Sequence, residues 1–193
     1  MSWIRAGLKA GFAAWIISML MFLAFQVQAM NAIANIPKDA QGRPLVGEYF
    51  LYFGGDVIDM SKNESLESAQ EEIAAGGLLP HARWSITPNG GDFSVFSGRT
   101  SLLFGLLRLL FIEISAFIFT SWLVFKWSIP SGKMRMACIL GLSLLIGVVD
   151  FALPLWLDLQ HFAPPMKAMT LYLIPWATAS FLLTRFLGKE SPA

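Results

Sequence analysis

The sequence has little cysteine and little charge, and each shortage excludes a class of protein. One cysteine, Cys138, stands among the 193 residues, so neither an internal disulfide framework nor a multi-cysteine metal site can form. Charged residues make up 14% of the chain, whereas about 25% is usual for a soluble domain. The net charge of +1 provides no basic surface for nucleic acid. We therefore expect neither a disulfide-rich secreted protein nor a nucleic-acid-binding one.

Motifs for catalysis and for cofactors are also lacking. The two histidines, His81 and His161, have no ligand residues close by in the sequence, so we expect no metal and no haem. The sequence contains no phosphate-binding loop, zinc-protease helix or nucleophile elbow. The absence of these motifs favours a protein without cofactors. It also favours, less strongly, a protein without enzymatic activity.

What the sequence has instead is four long apolar blocks. A spanning helix needs roughly 20 mostly apolar residues, because the hydrocarbon of a bilayer is about 30 Å thick. The blocks that meet this length are residues 10–30, 102–125, 134–157 and 168–187. They lack the period-two alternation of barrel strands, so helices are the structure that satisfies their backbone groups in lipid. The sequence predicts an all-α membrane protein built as a bundle of four transmembrane helices.

The basic residues predict the orientation of this bundle. If the N-terminus is inside, the cytoplasmic segments carry Arg5, Lys9, Lys126, Lys133, Arg135, Arg185 and Lys189. Such an excess of Lys and Arg is typical of cytoplasmic loops. We expect both termini in the cytoplasm and a location in a bacterial inner (plasma) membrane.

The first apolar block has a second interpretation. Val27-Gln28-Ala29 resembles the cleavage site of a secretory signal peptide, and Arg5 and Lys9 precede the apolar run. The run is longer than a usual signal core, so we expect the helix to be retained. Cleavage would leave three spans in the same orientation.

The long segment between the first two blocks predicts a small α+β domain outside the membrane. Residues 64–75 are a helix candidate that ends at Gly76-Gly77, and residues 83–87 and 92–96 flank a turn sequence as in a hairpin. Residues 49–53 are either a further strand or an aromatic patch at the membrane interface. The predicted division is 1–30 (tip and first helix), 31–101 (acidic outer domain), 102–187 (three helices) and 188–193 (cytoplasmic tail).

Three charged residues lie inside the apolar blocks and away from the block ends, where each costs roughly 2.5–3.5 kcal/mol on insertion scales. Arg108 and Asp150 fall at the same predicted depth, so they can pair across the second and third helices. Gln26 and Tyr172 could complete a polar cluster at that level. The alternative, which we weigh equally, is that Arg108 reaches outward to the interface on its own.

Glu113 lies near the predicted midplane and has no cation at its level. Hydroxyl groups of Ser18, Ser143 and Thr178 are at comparable depth and could bond its carboxyl. The residue is then either a neutral bridge between helices or a proton or cation site. In the fourth block, Pro175 predicts a kink.

These features favour a non-enzymatic accessory or assembly subunit of a larger membrane complex. Its expected partners are the lipid bilayer and either another membrane protein or further copies of this chain. The first alternative is a small oligomeric transporter or channel that uses Glu113, Arg108 and Asp150. A weaker one is a membrane enzyme that acts on a lipid or quinone at the outer leaflet.

Overall fold

The computed structural model describes residues 2–60, 70, 73–97, 100–130, 132–158 and 166–189. The chain is mostly helical and carries a small sheet between its first and second long helices. The helices are α1 (Ser2–Ala34), α2 (Leu102–Lys126), α3 (Lys133–Asp158), α4 (Met166–Tyr172) and α5 (Ile174–Lys189). The strands are β1 (Gly47–Tyr52), β2 (Ile58–Asp59), β3 (Pro80–Thr87), β4 (Gly90–Ser97) and β5 (Thr100–Ser101).

Four helical segments are long and apolar enough to cross a membrane. They are Ser2–Ala34, Gly105–Lys126, Lys133–Leu157 and Met166–Gly188, the last comprising α4 and α5. The predicted helical blocks are thus confirmed as helices. The first differs most, because it begins at Ser2 rather than residue 10 and continues to Ala34. It contains no proline, and Pro37 disfavours helical backbone just beyond its end.

The helices pack side by side: α1 packs along α2 and against α5, and α3 packs against α5 and α2. These packed helices are called the helix layer below. Small residues on α1 allow its close approach to α2. A Cβ atom on Gly7 would lie 2.7 Å from Ile118 Cα, and one on Gly11 would lie 2.5 Å from Ile114 Cα. Backbone meets backbone at both positions, so glycine is required there by space.

The helix predicted over residues 168–187 is interrupted at Leu173, between α4 and α5. Pro175 has no N–H, so it cannot continue the hydrogen bonding of the preceding turn. Pro175 lies directly after this interruption, in the first turn of α5. A second proline, Pro154, lies inside α3.

The sheet is antiparallel throughout, with strand order β2-β1-β3-β4-β5. Residues 49–52 are buried in β1, so the aromatic segment is a strand and not a surface patch. The predicted hairpin is confirmed as β3–β4, which is longer than expected because Thr87 pairs with Gly90 around a two-residue loop. Gly90 has φ +140°, a conformation that favours glycine.

The helix predicted over residues 64–75 lies largely outside the described residues. Its described end, residues 73–76, is helical, and Gly77 N donates to Ile73 O as the helix stops. The described part of residues 35–101 is called the cap below. The cap shares one core with the helices, in which Phe50, Tyr52, Leu78 and Leu79 join Phe151, Leu155, Tyr172 and Trp176.

Candidate functional site

Asp150 is the centre of a polar cluster formed by three helices. Arg108 Nη2 on α2 donates to Asp150 Oδ1 at 2.8 Å, and Tyr172 Oη on α4 donates to Asp150 Oδ2. The side chains of Arg108 and Asp150 are 35% and 15% exposed, and Tyr172 is buried. The expected contact between Arg108 and Asp150 is therefore present. We call these three residues the Asp150 cluster.

Two prolines lie close to this cluster and explain its place in the fold. Tyr172 is the last residue of α4, immediately before the break that Pro175 imposes. Pro154 follows Asp150 by one turn of α3, so the carbonyl of Asp150 lacks its usual helical donor. The ring of Tyr172 packs on Phe151, with centroids 5.2 Å apart. The cluster thus lies beside the break between α4 and α5 and one turn before the proline of α3.

Glu113 lies deeper in the helix layer and is 1% exposed. Ser18 Oγ on α1 donates to its Oε1 at 2.8 Å, while Oε2 is buried without a hydrogen-bond partner in the described chain. Of the other two hydroxyls considered from the sequence, Thr178 bonds the carbonyl of Ile174 and is exposed. Ser143 is buried, and its Oγ has no partner among the described residues.

A small cavity connects Glu113 with the cap. It has a volume of about 20 Å³, and its wall includes Ser18, Glu113, Tyr172, Trp176 and the cap segment 78–80. A volume of about 10–15 Å³, measured in this way, is enough for one water molecule. The cavity therefore has room for one water beside both Glu113 and Tyr172.

Gln26 does not join the Asp150 cluster. The contacts of Gly7 with Ile118 and of Gly11 with Ile114 set a register that places Ile17 opposite Arg108. Gln26 then lies about 13 Å further along α1, at 1.5 Å per residue. It is exposed, and no hydrogen bond of its side chain is found within the described ranges. The depth estimated from the sequence misplaced it because α1 is longer than the apolar block.

Gln28, which the sequence analysis did not select, fixes the cap to α1. Its Nε2 donates to Gly55 O at 2.9 Å, and its Oε1 accepts from Gly54 N at 2.9 Å. Gly54 has φ +73°, so the loop after β1 turns back towards the helix. In the sequence, the indication of this role is a polar amide at the end of an apolar run, and it does not identify the partner.

His81 on β3 directly follows the cap segment 78–80, which forms part of the cavity wall. Its ring is buried between Phe50 and Phe96, with centroids 5.5 Å and 5.3 Å away. Nδ1 donates to Leu79 O at 3.0 Å. Burial lowers the pKa of His81 and the charge of Arg83 adds to this, while the bond to Leu79 opposes it. The second histidine, His161, lies outside the described residues.

The arrangement combines a fixed ion pair, a phenol and a separate buried carboxyl. Within the described ranges, no group of three or more His, Cys, Asp or Glu side chains could hold a metal ion. The groups present can bind a proton, a water molecule or a small polar group. Comparison with protein-family models, with curated proteins and with solved structures finds no match.

Proposed function

We propose that the protein is an integral membrane protein whose four long helical segments cross the bilayer as a bundle. The observation that carries this proposal is that the helices bury polar groups and expose large apolar ones. The buried polar residues of the helices are Ser18, Glu113, Thr120, Ser121, Ser143 and Ser180. On the outer faces, Phe111 is 69% exposed and Leu20, Leu145 and Leu153 are also exposed. Such a surface suits hydrocarbon, since polar groups inside a membrane almost always face the bundle interior.

The proposed orientation has both termini in the cytoplasm of a bacterial cell and the cap outside its inner membrane. Lys9 Nζ lies 5.8 Å from the ring of Phe186, so the start of α1 and the end of α5 are neighbours. Lys126, Lys133 and Arg135 lie at the ends of α2 and α3 that are remote from the cap. The excess of basic residues at this end supports a cytoplasmic location.

The orientation is testable by cysteine labelling in intact cells. In a Cys138→Ser background, an impermeant thiol reagent should label Asp92→Cys in the cap. It should not label Ser128→Cys in the α2–α3 loop until the membrane is opened. Labelling of Ser128→Cys in intact cells would reverse the proposed orientation.

We propose that α1 is retained and is not a cleaved signal peptide. Ser18 supplies a hydrogen bond to Glu113, and Gly7 and Gly11 pack directly on the backbone of α2. Cleavage near Ala29 would remove all three contacts. The mass of the purified chain tests this, because cleavage would shorten it by the whole of the first block.

Within the membrane, we propose that the protein is an accessory or assembly subunit of a larger complex. The helix α3 supports this role because it is the least buried of the four segments. In its most apolar stretch of 18 residues, 22% of the residues are buried, against 39–44% in the other three segments. Its outer face presents Gly141, Leu145, Val149 and Leu153 at intervals of one turn. Gly141 has open space around it, so a partner helix could approach its backbone closely.

The alternative of a small transporter or channel is favoured by one observation, the unpartnered Oε2 of Glu113. A conducting pathway needs a route for its substrate, whereas the cavity at Glu113 is about 20 Å³, close to the size of one water. This small volume supports the accessory role over transport.

Photo-crosslinking in cells tests the proposed subunit role. A photoreactive amino acid at Leu145, Val149 or Leu153 should form a protein adduct of defined mass. The same probe at Phe12 or Leu20 on the outer face of α1 is the matched control. A defined heteromeric adduct confined to α3 supports a subunit of a complex, and an adduct with a second copy indicates a homo-oligomer. Adducts with lipid alone at all five positions would contradict the proposal.

A further inference from the structure

The half-buried carboxyl group of Asp150 and the buried one of Glu113 have different hydrogen-bond partners. Asp150 accepts from Arg108 and from Tyr172, both of which are donors. Each oxygen of the Asp150 carboxyl group therefore has a donor. Glu113 accepts from Ser18 at one oxygen only, and its Oε2 has no partner in the described chain.

A buried polar atom without a partner loses its bonds to water and gains none, so natural proteins rarely leave one unsatisfied. The cavity beside Glu113 can compensate for this loss, since its volume of about 20 Å³ admits one water molecule. A water molecule can donate to a carboxylate oxygen and can accept from a protonated carboxyl. Ser18 can donate to Oε1 in either case. Both protonation states of Glu113 are therefore satisfied by the same two partners.

We propose that Glu113 is a proton-binding site, which takes up and releases its proton through a water molecule in the cavity under the cap. On release, the O–H bond at Oε2 breaks and the proton passes to the water, leaving a carboxylate. Uptake is the reverse, and no electrons are transferred. This inference is independent of the accessory role and would hold for a subunit or for a lone protein.

The charged and titratable groups around Glu113 come from three helices and from the cap. From α2 comes Arg108, from α3 Asp150 and from α4 the phenol of Tyr172. The opposite charges of Arg108 and Asp150 are 2.8 Å apart and largely offset each other. On the cap side, the ring of His81 donates a hydrogen bond to Leu79 O, and Leu79 forms part of the cavity wall. The residues that α1 and α5 place in this wall, Ser18, Met21, Pro175 and Trp176, are uncharged.

Infrared difference spectroscopy tests the proposal on the full chain in phosphatidylcholine vesicles. The wild type should show the carbonyl stretch of a protonated carboxylic acid that weakens as the pH is raised between about 5 and about 10. This band should be absent from Glu113→Gln, which keeps the shape and an acceptor for Ser18. It should be retained in Asp92→Asn, a matched change of an exposed carboxyl in the cap.

Two further measurements test the hydrogen bond and the route. Ser18→Ala should shift the Glu113 band to higher frequency, because the carbonyl loses its donor. In heavy water the wild-type band should shift as the proton is replaced through the cavity.

Four results would overturn the proposal. A Glu113 band that is unchanged across the pH range would mark a permanently neutral bridge, and the absence of any such band would mark a permanently charged group. A pH-dependent band that persists in Glu113→Gln would belong to another carboxyl. A band that resists overnight incubation in heavy water would show that the cavity gives no access.

Discussion

The helices and the cap differ in the side chains that they expose and in the polar groups that they bury. The interior of the helix layer contains Glu113 and several hydroxyl groups, while large apolar side chains such as Phe111 lie on its surface. In the cap, Tyr49 and Trp84 are inside, and the Arg43–Asp39 ion pair is on the surface. The simplest physical reason for this contrast is that hydrocarbon surrounds the helices and water surrounds the cap. The membrane proposal depends on this contrast, which the following predictions test.

The largest expected effect is from placing a charge on the outer face of a helix. Phe111→Lys should make membrane insertion less favourable by about 3 kcal/mol, because lysine is disfavoured in hydrocarbon. Val46→Lys in the cap, at a residue that is 61% exposed, should change stability by less than about 0.5 kcal/mol. The fraction of each variant recovered in the membrane checks this. Equal recovery would contradict the idea that the two surfaces face different solvents.

The next effect concerns the packing of α1 on α2. In Gly11→Ala the new Cβ would lie 2.5 Å from Ile114 Cα and 3.0 Å from Glu113 O. These are backbone atoms that cannot rotate away, so we expect a loss of about 1–3 kcal/mol. The matched control is Gly141→Ala on α3, where no described atom lies within 4 Å of the new Cβ. It should be neutral or stabilising by up to about 1 kcal/mol. Melting temperatures in one detergent compare the two, and a control that is equally destabilised would refute the packing argument.

A smaller effect should distinguish the two Arg–Asp pairs. Asp150→Ala leaves Arg108 and Tyr172 without their acceptor, which should cost about 1–2 kcal/mol after allowance for the partial exposure of Arg108. Asp39→Ala removes an Arg–Asp pair in the cap, where Arg43 is 74% exposed, together with the bonds that Asp39 accepts from two backbone N–H groups. It should cost less than Asp150→Ala, because solvent screens the exposed pair. Unfolding of both variants in the same detergent provides the comparison. Equal losses would mean that the helix layer does not shield its ion pair from solvent.

The smallest expected effect is a pH dependence of the cap. Because the pKa of His81 is lowered in the folded state, the unfolded chain binds a proton first as the pH falls. Stability should be highest above about pH 6.5, the ordinary value for histidine, and should decline below it. The decline should level off below the folded pKa. His81→Gln, which keeps a donor for Leu79, should remove this part of the pH dependence of the melting temperature. An unchanged pH profile would show that His81 titrates normally.

The sequence predicted the features that depend on neighbouring residues. The apolar blocks gave the helices, the turn residues between 87 and 90 gave the hairpin, and Pro175 gave the break before α5. The contact of Arg108 with Asp150 was one of two outcomes that their equal depth left open, the other being an Arg108 that reaches the interface alone.

The partners of Gln26 and Gln28 could not be assigned in the same way. A difference of two positions on α1 separates an exposed amide from one that holds the loop after β1. That difference depends on where the cap sits, which is set by contacts between distant parts of the chain. The shared core of cap and helices has the same origin, because Phe50 and Leu79 meet Phe151 and Trp176 only after folding.

By itself, the sequence determined the helices, the hairpin and the presence of three ionisable groups in apolar surroundings, because hydropathy and turn chemistry act over a few residues. Only the tertiary structure decided what those groups bind. It gave Asp150 two donors, left one oxygen of Glu113 without a partner in the described chain, and placed Glu113 in the wall of a cavity for one water. The physical reason is that a hydrogen bond requires atoms within about 3 Å, a precision that residue spacing on separate helices cannot supply.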